Sequence, residues 1–162
     1  MLETRIERLP QDDWREVSPF PFTAARGAFA GMTTDPDKVD LRYYRRPDGS
    51  LAAVARFGPR AEGAPGLVHG GAILTALDES LGAAAWLAGI PSLTASLTTE
   101  FRRGVPTGAV CLVSTRLLGE RHRVANLDGE LTGTDGTVYA RAQGRFIRLS
   151  DEAHRRLFGR PA

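Results

Sequence analysis

Two patterns of apolar residues divide the chain. Residues 70–89 are dense in leucine and alanine on nearly every side, which is typical of a helix buried over most of its surface. Gly70 and Gly71 suit a turn into this helix, and Gly89 followed by Pro91 suits its end. Beyond Pro91, apolar and polar residues alternate, which is typical of strands with one buried face. The patterns predict one long buried helix followed by a sheet.

Strands are predicted on both sides of the helix. A hairpin precedes it, with strands at residues 41–45 and 51–57 around a Pro-Asp-Gly-Ser turn. Four strands follow it as an antiparallel meander, at residues 93–101, 109–118, 123–132 and 138–149. One sheet wrapped around one central helix is the simplest packing that covers both elements, so we expect an α+β fold.

Two details of the predicted meander concern its faces. In the strand after the helix, strict alternation puts Leu93, Leu97 and Phe101 on one face and Thr94 on the other. In the last strand, a row of small residues leaves room for the helix to approach the sheet: Ala140, Ala142 and Gly144.

The elements suggest one domain with two flanking segments. Residues 41–150 form the predicted domain. Residues 1–40 are expected to be an irregular arm with room for one short helix, and residues 151–162 a short solvated tail or helix. The length of 162 residues is enough for a single domain with a proper core.

Asp78 stands inside the apolar segment, where a carboxylate is costly unless it is paired or used. Free N–H groups near Gly70 and Gly71 would stabilise an anion or a developing oxyanion. Asp78 lies about 10 Å beyond Gly71 along a helix, so one substrate carbonyl cannot contact both. If both features serve one reaction, they come from two copies of the chain, in a twofold dimer with antiparallel helices.

Composition and charge exclude several other classes of protein. The net charge of +2 argues only weakly for nucleic acid, and no nucleic-acid partner is expected. We find no apolar run for a signal peptide or a membrane span, so we expect a cytoplasmic protein without a membrane partner. The single cysteine, Cys111, lies among apolar residues and is expected to be an inert buried thiol.

Other kinds of chemistry lack their motifs. The three histidines, His69, His122 and His154, have no metal-ligand spacing, so no metal site is expected. Neither an ordered serine triad, nor a phosphate-binding loop, nor a dinucleotide fingerprint is present.

The arrangement and its residues resemble the hotdog-fold acyl-CoA thioesterases of the PaaI-like group, from about residue 41 to residue 149. The motifs that carry the resemblance are residues 65–73 with the sequence Pro-Gly-Leu-Val-His-Gly-Gly-Ala-Ile, Asp78 nine residues after His69, and residues 94–103 after the helix. The resemblance implies a hotdog fold, in which an antiparallel sheet wraps around one long helix. It also implies hydrolysis of an acyl-CoA to the free acid and coenzyme A, with no metal or redox cofactor.

The resemblance also implies roles for five residues. Gly71, with Gly70, would offer the backbone N–H that polarises the thioester carbonyl. Asp78 would be the catalytic carboxylate, either as a general base on water or as a direct nucleophile. Thr94 would orient the attacking water or Asp78, and His69 would fix the turn through its side chain more than take part in proton transfer.

Several other positions are assigned with the same resemblance in mind. Some relatives carry a polar helper six residues before the histidine, and here that position is Gly63. Glu79 points about 100° away from Asp78 on a helix, so we expect it to be solvated or paired with an arginine at an interface. Candidate residues for the coenzyme A phosphates are Arg102, Arg103, Arg121 and Arg123. Candidate residues for the acyl group are Leu81 and Trp86.

Two other functions remain open at this point. A dehydratase or hydratase on the same fold would act on 3-hydroxyacyl or enoyl thioesters, and a non-catalytic acyl-CoA-binding dimer would keep the groove without turnover. The expected assembly is a homodimer or a dimer of dimers, with an acyl-CoA as substrate. The sequence identifies neither the acyl group nor whether the thiol carrier is coenzyme A or a carrier protein.

Overall fold

A single antiparallel sheet forms the body of the protein. The computed structural model describes residues 8–21, 29 and 36–159. The strands are β1 (Arg15–Val17), β2 (Val39–Arg45), β3 (Leu51–Phe57), β4 (Ser92–Phe101), β5 (Val110–Arg121), β6 (Val124–Gly133) and β7 (Val138–Arg148). Their order across the sheet is β1-β2-β3-β5-β6-β7-β4. The other elements are the 3₁₀ turn Pro59–Ala61 and the helices α1 (Gly70–Leu87) and α2 (Asp151–Phe158).

The long helix α1 packs against strands β2 to β7, and the main core lies between helix and sheet. Leu77 and Leu81 on the helix are fully buried there. Glycines allow the close approach: a Cβ at Gly129 or at Gly144 would lie 3.1 Å from a methyl carbon of Leu81. The structure therefore confirms the predicted α+β fold and the small-residue row that faces the helix.

The predicted meander is wrong for β4. Strands β5, β6 and β7 do follow one another, but β4 pairs with β7 at the edge of the sheet, and β3 pairs with β5. The chain returns from β4 to β5 through a connection that contains the buried Val105, whose carbonyl accepts a hydrogen bond from Val68 N–H at 2.9 Å. Alternation identifies a strand through its buried face, but it does not identify its neighbours.

The predicted faces of β4 are wrong for Leu93 and Thr94, because a β-bulge interrupts the strand. Its register against β7 shifts between Thr94 and Ser96. Thr94 pairs with the buried Phe146, and Leu97 pairs with the buried Gly144, so both face the helix. Leu93 pairs with the exposed Ile147 on the outer face. One extra residue in a strand reverses the alternation beyond it.

The segments that flank the domain pack on the sheet and on the helix. Residues 8–21 contain β1 and no helix, and Leu9 and Trp14 cover the outer face of the sheet at Tyr44 and Leu112. Most of the remaining arm lies outside the described residues, so its short helix stays a prediction. After β7, the helix α2 begins at a cap by Ser150.

Candidate active site

His69 caps the N-terminus of α1. Its Nδ1 atom accepts a hydrogen bond from Gly71 N–H at 2.9 Å, and its carbonyl accepts one from Ala72 N–H at 2.9 Å. A ring nitrogen can accept in this way only when it carries no proton. His69 therefore fixes the turn, and it satisfies two of the four N–H groups that a helix leaves free at its start.

The cap changes which glycine can serve a ligand. Gly71, the leading sequence-based candidate, already donates its N–H to His69. In the part of the chain that the structure describes, no group accepts a hydrogen bond from Gly70 N–H. The Gly70 N–H is therefore the donor that an oxyanion could use at this helix end.

Gly63 and Phe101 enclose the same turn. A Cβ at Gly63 would lie 2.9 Å from the Cα of His69, so a side chain there would push the capping residue away. The polar helper of some relatives therefore has no room at this position without a backbone shift. On the other side, a Cβ at Gly70 would lie 3.5 Å from Cζ of Phe101, so this half-exposed ring lies beside Gly70.

The structure brings Asp78 and Thr94 together. The Thr94 hydroxyl donates a hydrogen bond to Asp78 Oδ1 at 2.8 Å. Asp78 is half-buried on α1 and Thr94 is exposed on β4. The bulge after Thr94 turns this hydroxyl toward the helix. Asp78 and Gly70 stay apart within one chain, because eight residues of helix span about 12 Å.

Glu79 and Tyr43 lie behind Asp78. Burial, and then the charge of Asp78, raise the pKa of Glu79 to about 7. Among the described residues, no arginine pairs with this half-buried carboxylate. The hydroxyl of Tyr43 is buried without a hydrogen-bond partner in the described part of the chain. Burial, Glu79 and Asp78 together raise the pKa of Tyr43 well above its ordinary value.

Tyr43 was missing from the sequence-based candidates. It lies on β2, 35 residues before Asp78, and its alternation with polar neighbours indicates only a buried strand position. No motif marks it.

The predicted arginines separate into two groups in one chain. Arg102 and Arg103 follow β4 at the end near Gly70, and both donate their backbone N–H to the carbonyl of Tyr139. Arg121 and Arg123 flank the β5–β6 turn at the other end, where Arg123 donates a hydrogen bond to the carbonyl of Arg148 at 2.8 Å. The ten residues of β4 separate the two ends by about 33 Å. The four arginines therefore cannot surround one tunnel mouth within a single chain.

Leu81 and Trp86 occupy packed positions. Leu81 is fully buried between α1 and the sheet. The indole N–H of Trp86 donates to the carbonyl of Ser92 at 3.1 Å, and its ring contacts Phe20 and Phe158. Both positions favour core packing over contact with an acyl group.

Two further features bear on the chemistry. Burial raises the pKa of Cys111 to about 12, which keeps its thiol protonated and unreactive near neutral pH. Among residues 8–21, 29 and 36–159, no group of three histidine, cysteine or acidic side chains is arranged to hold a metal ion.

No helix within the same residues has the length and apolar character needed to cross a membrane.

An antiparallel sheet wrapped around one long helix is the hotdog architecture, and solved structures share it. The structure of the PaaI protein of E. coli matches 62% of this chain and 72% of its own, with a TM-score of 0.59 and 15% identity. A hypothetical thioesterase from Streptococcus pneumoniae TIGR4, solved with coenzyme A, matches 68% of this chain and 86% of its own, with a TM-score of 0.63 and 14% identity. These two comparisons establish the fold.

Sequence comparison finds similarity to thioesterases. Residues 65–140 match the model of the thioesterase superfamily. Acyl-coenzyme A thioesterase THEM5 of Mus musculus is 32% identical over 140 residues, which cover 75% of this chain and 56% of that protein. The chain spans about half the length of the curated relatives it matches. The chain is thus similar to members of the thioesterase superfamily.

Proposed function

We propose that this protein hydrolyses an acyl-CoA to the free acid and coenzyme A, with Asp78 as its catalytic carboxylate. The observation that carries the proposal is the hydrogen bond from Thr94 to Asp78 Oδ1, which holds a half-buried carboxylate in one orientation. Curated relatives named acyl-coenzyme A thioesterases support the choice of substrate class.

The residues divide the reaction between them. Gly70 N–H donates a hydrogen bond to the thioester carbonyl oxygen and stabilises the charge that develops there. Asp78 takes a proton from water while the water oxygen bonds to the carbonyl carbon. The carbon–sulfur bond then breaks, and the thiolate leaves and takes up a proton. Direct attack by Asp78, through an anhydride that water cleaves, uses the same contacts.

We further propose that each active site contains residues from two chains. Gly70 and Asp78 of one chain are about 12 Å apart, and catalytic contacts are about 3 Å, so the carbonyl held by one Gly70 must meet another chain's Asp78. Strand β4, which lies at the edge of the sheet, exposes Leu93 and Phe101. Exposed apolar edge strands commonly associate with a second strand. A twofold axis beside β4 would bring Thr94 and Asp78 of one chain toward the Gly70 turn of its partner.

The spacing of Asp78 and Thr94 supports their treatment as one unit. The Streptococcus pneumoniae protein was also solved with an aspartate replaced by alanine and with a threonine replaced by alanine. Those two positions are sixteen residues apart, as Asp78 and Thr94 are.

The direct test is release of free thiol from a panel of aromatic and aliphatic acyl-CoAs. Asp78→Ala should lower the rate by about a hundredfold or more, because a positioned base contributes at least that much. Glu79→Gln is the matched control, since it neutralises the adjacent carboxylate, and it should retain activity. Equal rates for wild type and a folded Asp78→Ala would contradict the role of Asp78. No release by the wild type across the panel would favour the hydratase or the binding function.

A further inference from the structure

Gly82 leaves a position without a side chain one turn beyond Asp78 on α1. The two residues are four positions apart, so they lie on the same face of the helix, about 6 Å apart along its axis. Gly82 is half-buried between two aromatic rings. A Cβ at Gly82 would lie 3.6 Å from Cε1 of Phe146 and 3.9 Å from Cζ of Phe20.

Neither the backbone nor the packing requires a glycine at this position. Gly82 lies inside α1 and does not have a positive φ. The two distances are ordinary van der Waals contacts, so the methyl group of an alanine would fit. Glycine in a helix interior is less favourable than alanine. Gly82 therefore lowers the stability of the helix, and its structural effect is to leave space beside Asp78.

This space lies on one side of Asp78 along the helix face. The turn before Asp78 carries the side chains of Leu74 and Thr75, and Leu74 is 38% exposed. The turn after Asp78 presents Gly82 at the equivalent place. A thioester whose carbonyl carbon lies at the Asp78 carboxylate therefore has room for its acyl group over Gly82.

Aromatic packing limits the space at its far end. The ring of Phe20 is buried, and it contacts the rings of Tyr43 and Trp86 edge-on, with centroids 6.2 and 6.1 Å apart. The rings of Phe20 and Phe146 cannot donate a hydrogen bond to a carboxylate, so a charged group against them is costly. The lining therefore suits an uncharged acyl chain of limited length.

We propose that Gly82 is a specificity-determining residue, and that the space over it takes the carbons beyond the first two of an uncharged acyl chain. The inference rests on the proposed thioesterase function with Asp78 at the thioester. It names a class of acyl group, longer than acetyl and without a charged end, and it assigns a role to a helix glycine that packing does not explain.

The kinetic test compares acetyl-CoA, whose acyl group is too short to reach Gly82, with hexanoyl-CoA. Gly82→Leu fills the space. It should lower the ratio of kcat/KM for hexanoyl-CoA to that for acetyl-CoA by about tenfold or more, since one methylene in an apolar pocket has an effect of that size. An unchanged ratio in Gly82→Leu would overturn the inference, and so would an equal loss on both substrates.

Gly82→Ala separates the role in specificity from a role in packing. It should lower the same ratio by a smaller factor and raise Tm by about 2–4 °C, because alanine is the better helix former. A Tm below that of the wild type would show that packing requires the glycine, and would overturn the inference.

Thr75→Leu is the matched control, because it enlarges a side chain on the turn before Asp78 instead of the turn after it. It should leave the ratio for hexanoyl-CoA and acetyl-CoA unchanged. A lower ratio in Thr75→Leu and not in Gly82→Leu would place the acyl group on the other side of Asp78 and overturn the inference.

The class of acyl group is tested with pentanoyl-CoA and glutaryl-CoA, whose acyl groups have the same number of carbons and differ in a terminal carboxylate. The wild type should prefer pentanoyl-CoA by about tenfold or more in kcat/KM, because the apolar lining does not solvate the charge. Equal values would overturn selection of an uncharged acyl chain.

A binding measurement separates this inference from the proposed function. By calorimetry, hexanoyl-CoA should bind to Asp78→Ala about tenfold more tightly than to the double variant that also carries Gly82→Leu. This difference without hydrolysis by the wild type would support the role of Gly82 and contradict the thioesterase. Hydrolysis by the wild type with equal binding to the two variants would support the thioesterase and overturn the role of Gly82.

Discussion

The hydroxyl of Thr94 donates a hydrogen bond of 2.8 Å to Asp78 Oδ1. Regular alternation along β4 would place this hydroxyl on the face opposite to Leu97, away from the helix. The bulge between Thr94 and Ser96 places Thr94 on the same face as Leu97, and that face meets the helix. β-bulges often redirect a side chain at a functional site. Here the bulge places the hydroxyl of Thr94 within hydrogen-bond distance of the carboxylate of Asp78.

The first prediction concerns this pair. Thr94→Val keeps the shape of the side chain and removes the hydroxyl, so Asp78 loses its fixed orientation. We expect kcat for thioester hydrolysis to fall by about tenfold to a hundredfold, the usual effect of a hydrogen bond to a charged group. Thr98→Val is the control, because Thr98 pairs with the exposed Gln143 on the outer face. Equal rates for the two variants would remove Thr94 from the mechanism.

The second prediction concerns the free N–H at the helix start. Gly70→Pro removes that N–H, and proline is favoured at the first position of a helix. The backbone of His69, at φ −61° and ψ 136°, is compatible with a following proline. We expect about a hundredfold loss of kcat in a folded protein, as when one oxyanion donor is lost.

Gly70→Ala is the matched control for the proline variant. It keeps the N–H and adds a Cβ at an ordinary contact distance of 3.5 Å from Phe101. It should retain most of the activity. If Gly70→Pro were as active as Gly70→Ala, the N–H of Gly70 would not be the oxyanion donor.

The third prediction concerns stability and pH. Burial raises the folded-state pKa of Glu79 from 4.5 to about 7. Between these values the folded protein holds a proton that the unfolded chain has released, so this residue's contribution to stability falls as pH rises through the window. Well above pH 7 the carboxylate is charged in both the folded and the unfolded state, so the full cost of burying its charge lowers the stability of the folded protein. Glu79→Gln removes the effect.

Urea denaturation of wild type and Glu79→Gln at pH 5 and pH 8 measures this change in the free energy of unfolding. The glutamine variant should gain stability relative to the wild type as the pH rises. The opposite trend would show that a cation from a partner chain pairs with Glu79 in the assembled protein.

Much of the fold could be predicted because the buried faces of helices and strands produce a periodic pattern of apolar residues in the sequence. The density of apolar residues and the glycines at its ends locate α1 within two residues at either end. The position of β4 at the sheet edge could not be predicted, since alternation records which face is buried and not which strand is adjacent. The bulge was equally hidden, because Leu93, Ala95 and Leu97 read as an unbroken alternation.

The candidate site was predicted in part for related reasons. Asp78 could be identified because a carboxylate among buried apolar residues is costly unless it is paired or used in function. The choice between Gly70 and Gly71 depends on the cap by His69, and histidine is not a usual capping residue. Tyr43 could not be found, because no motif marks it and only the fold brings β2 close to Glu79 and Asp78.

The most direct test of the two-chain active site is a mixed dimer of Asp78→Ala and Gly70→Pro chains. The two chains are co-expressed with different tags and purified through both tags in turn. In such a dimer one site has an intact Gly70 from one chain and an intact Asp78 from the other, and the second site lacks both. We expect about half of the wild-type specific activity from a dimer built of two inactive chains. Activity no higher than that of either variant alone, in a folded mixed dimer, would contradict the account and place the whole site within a single chain.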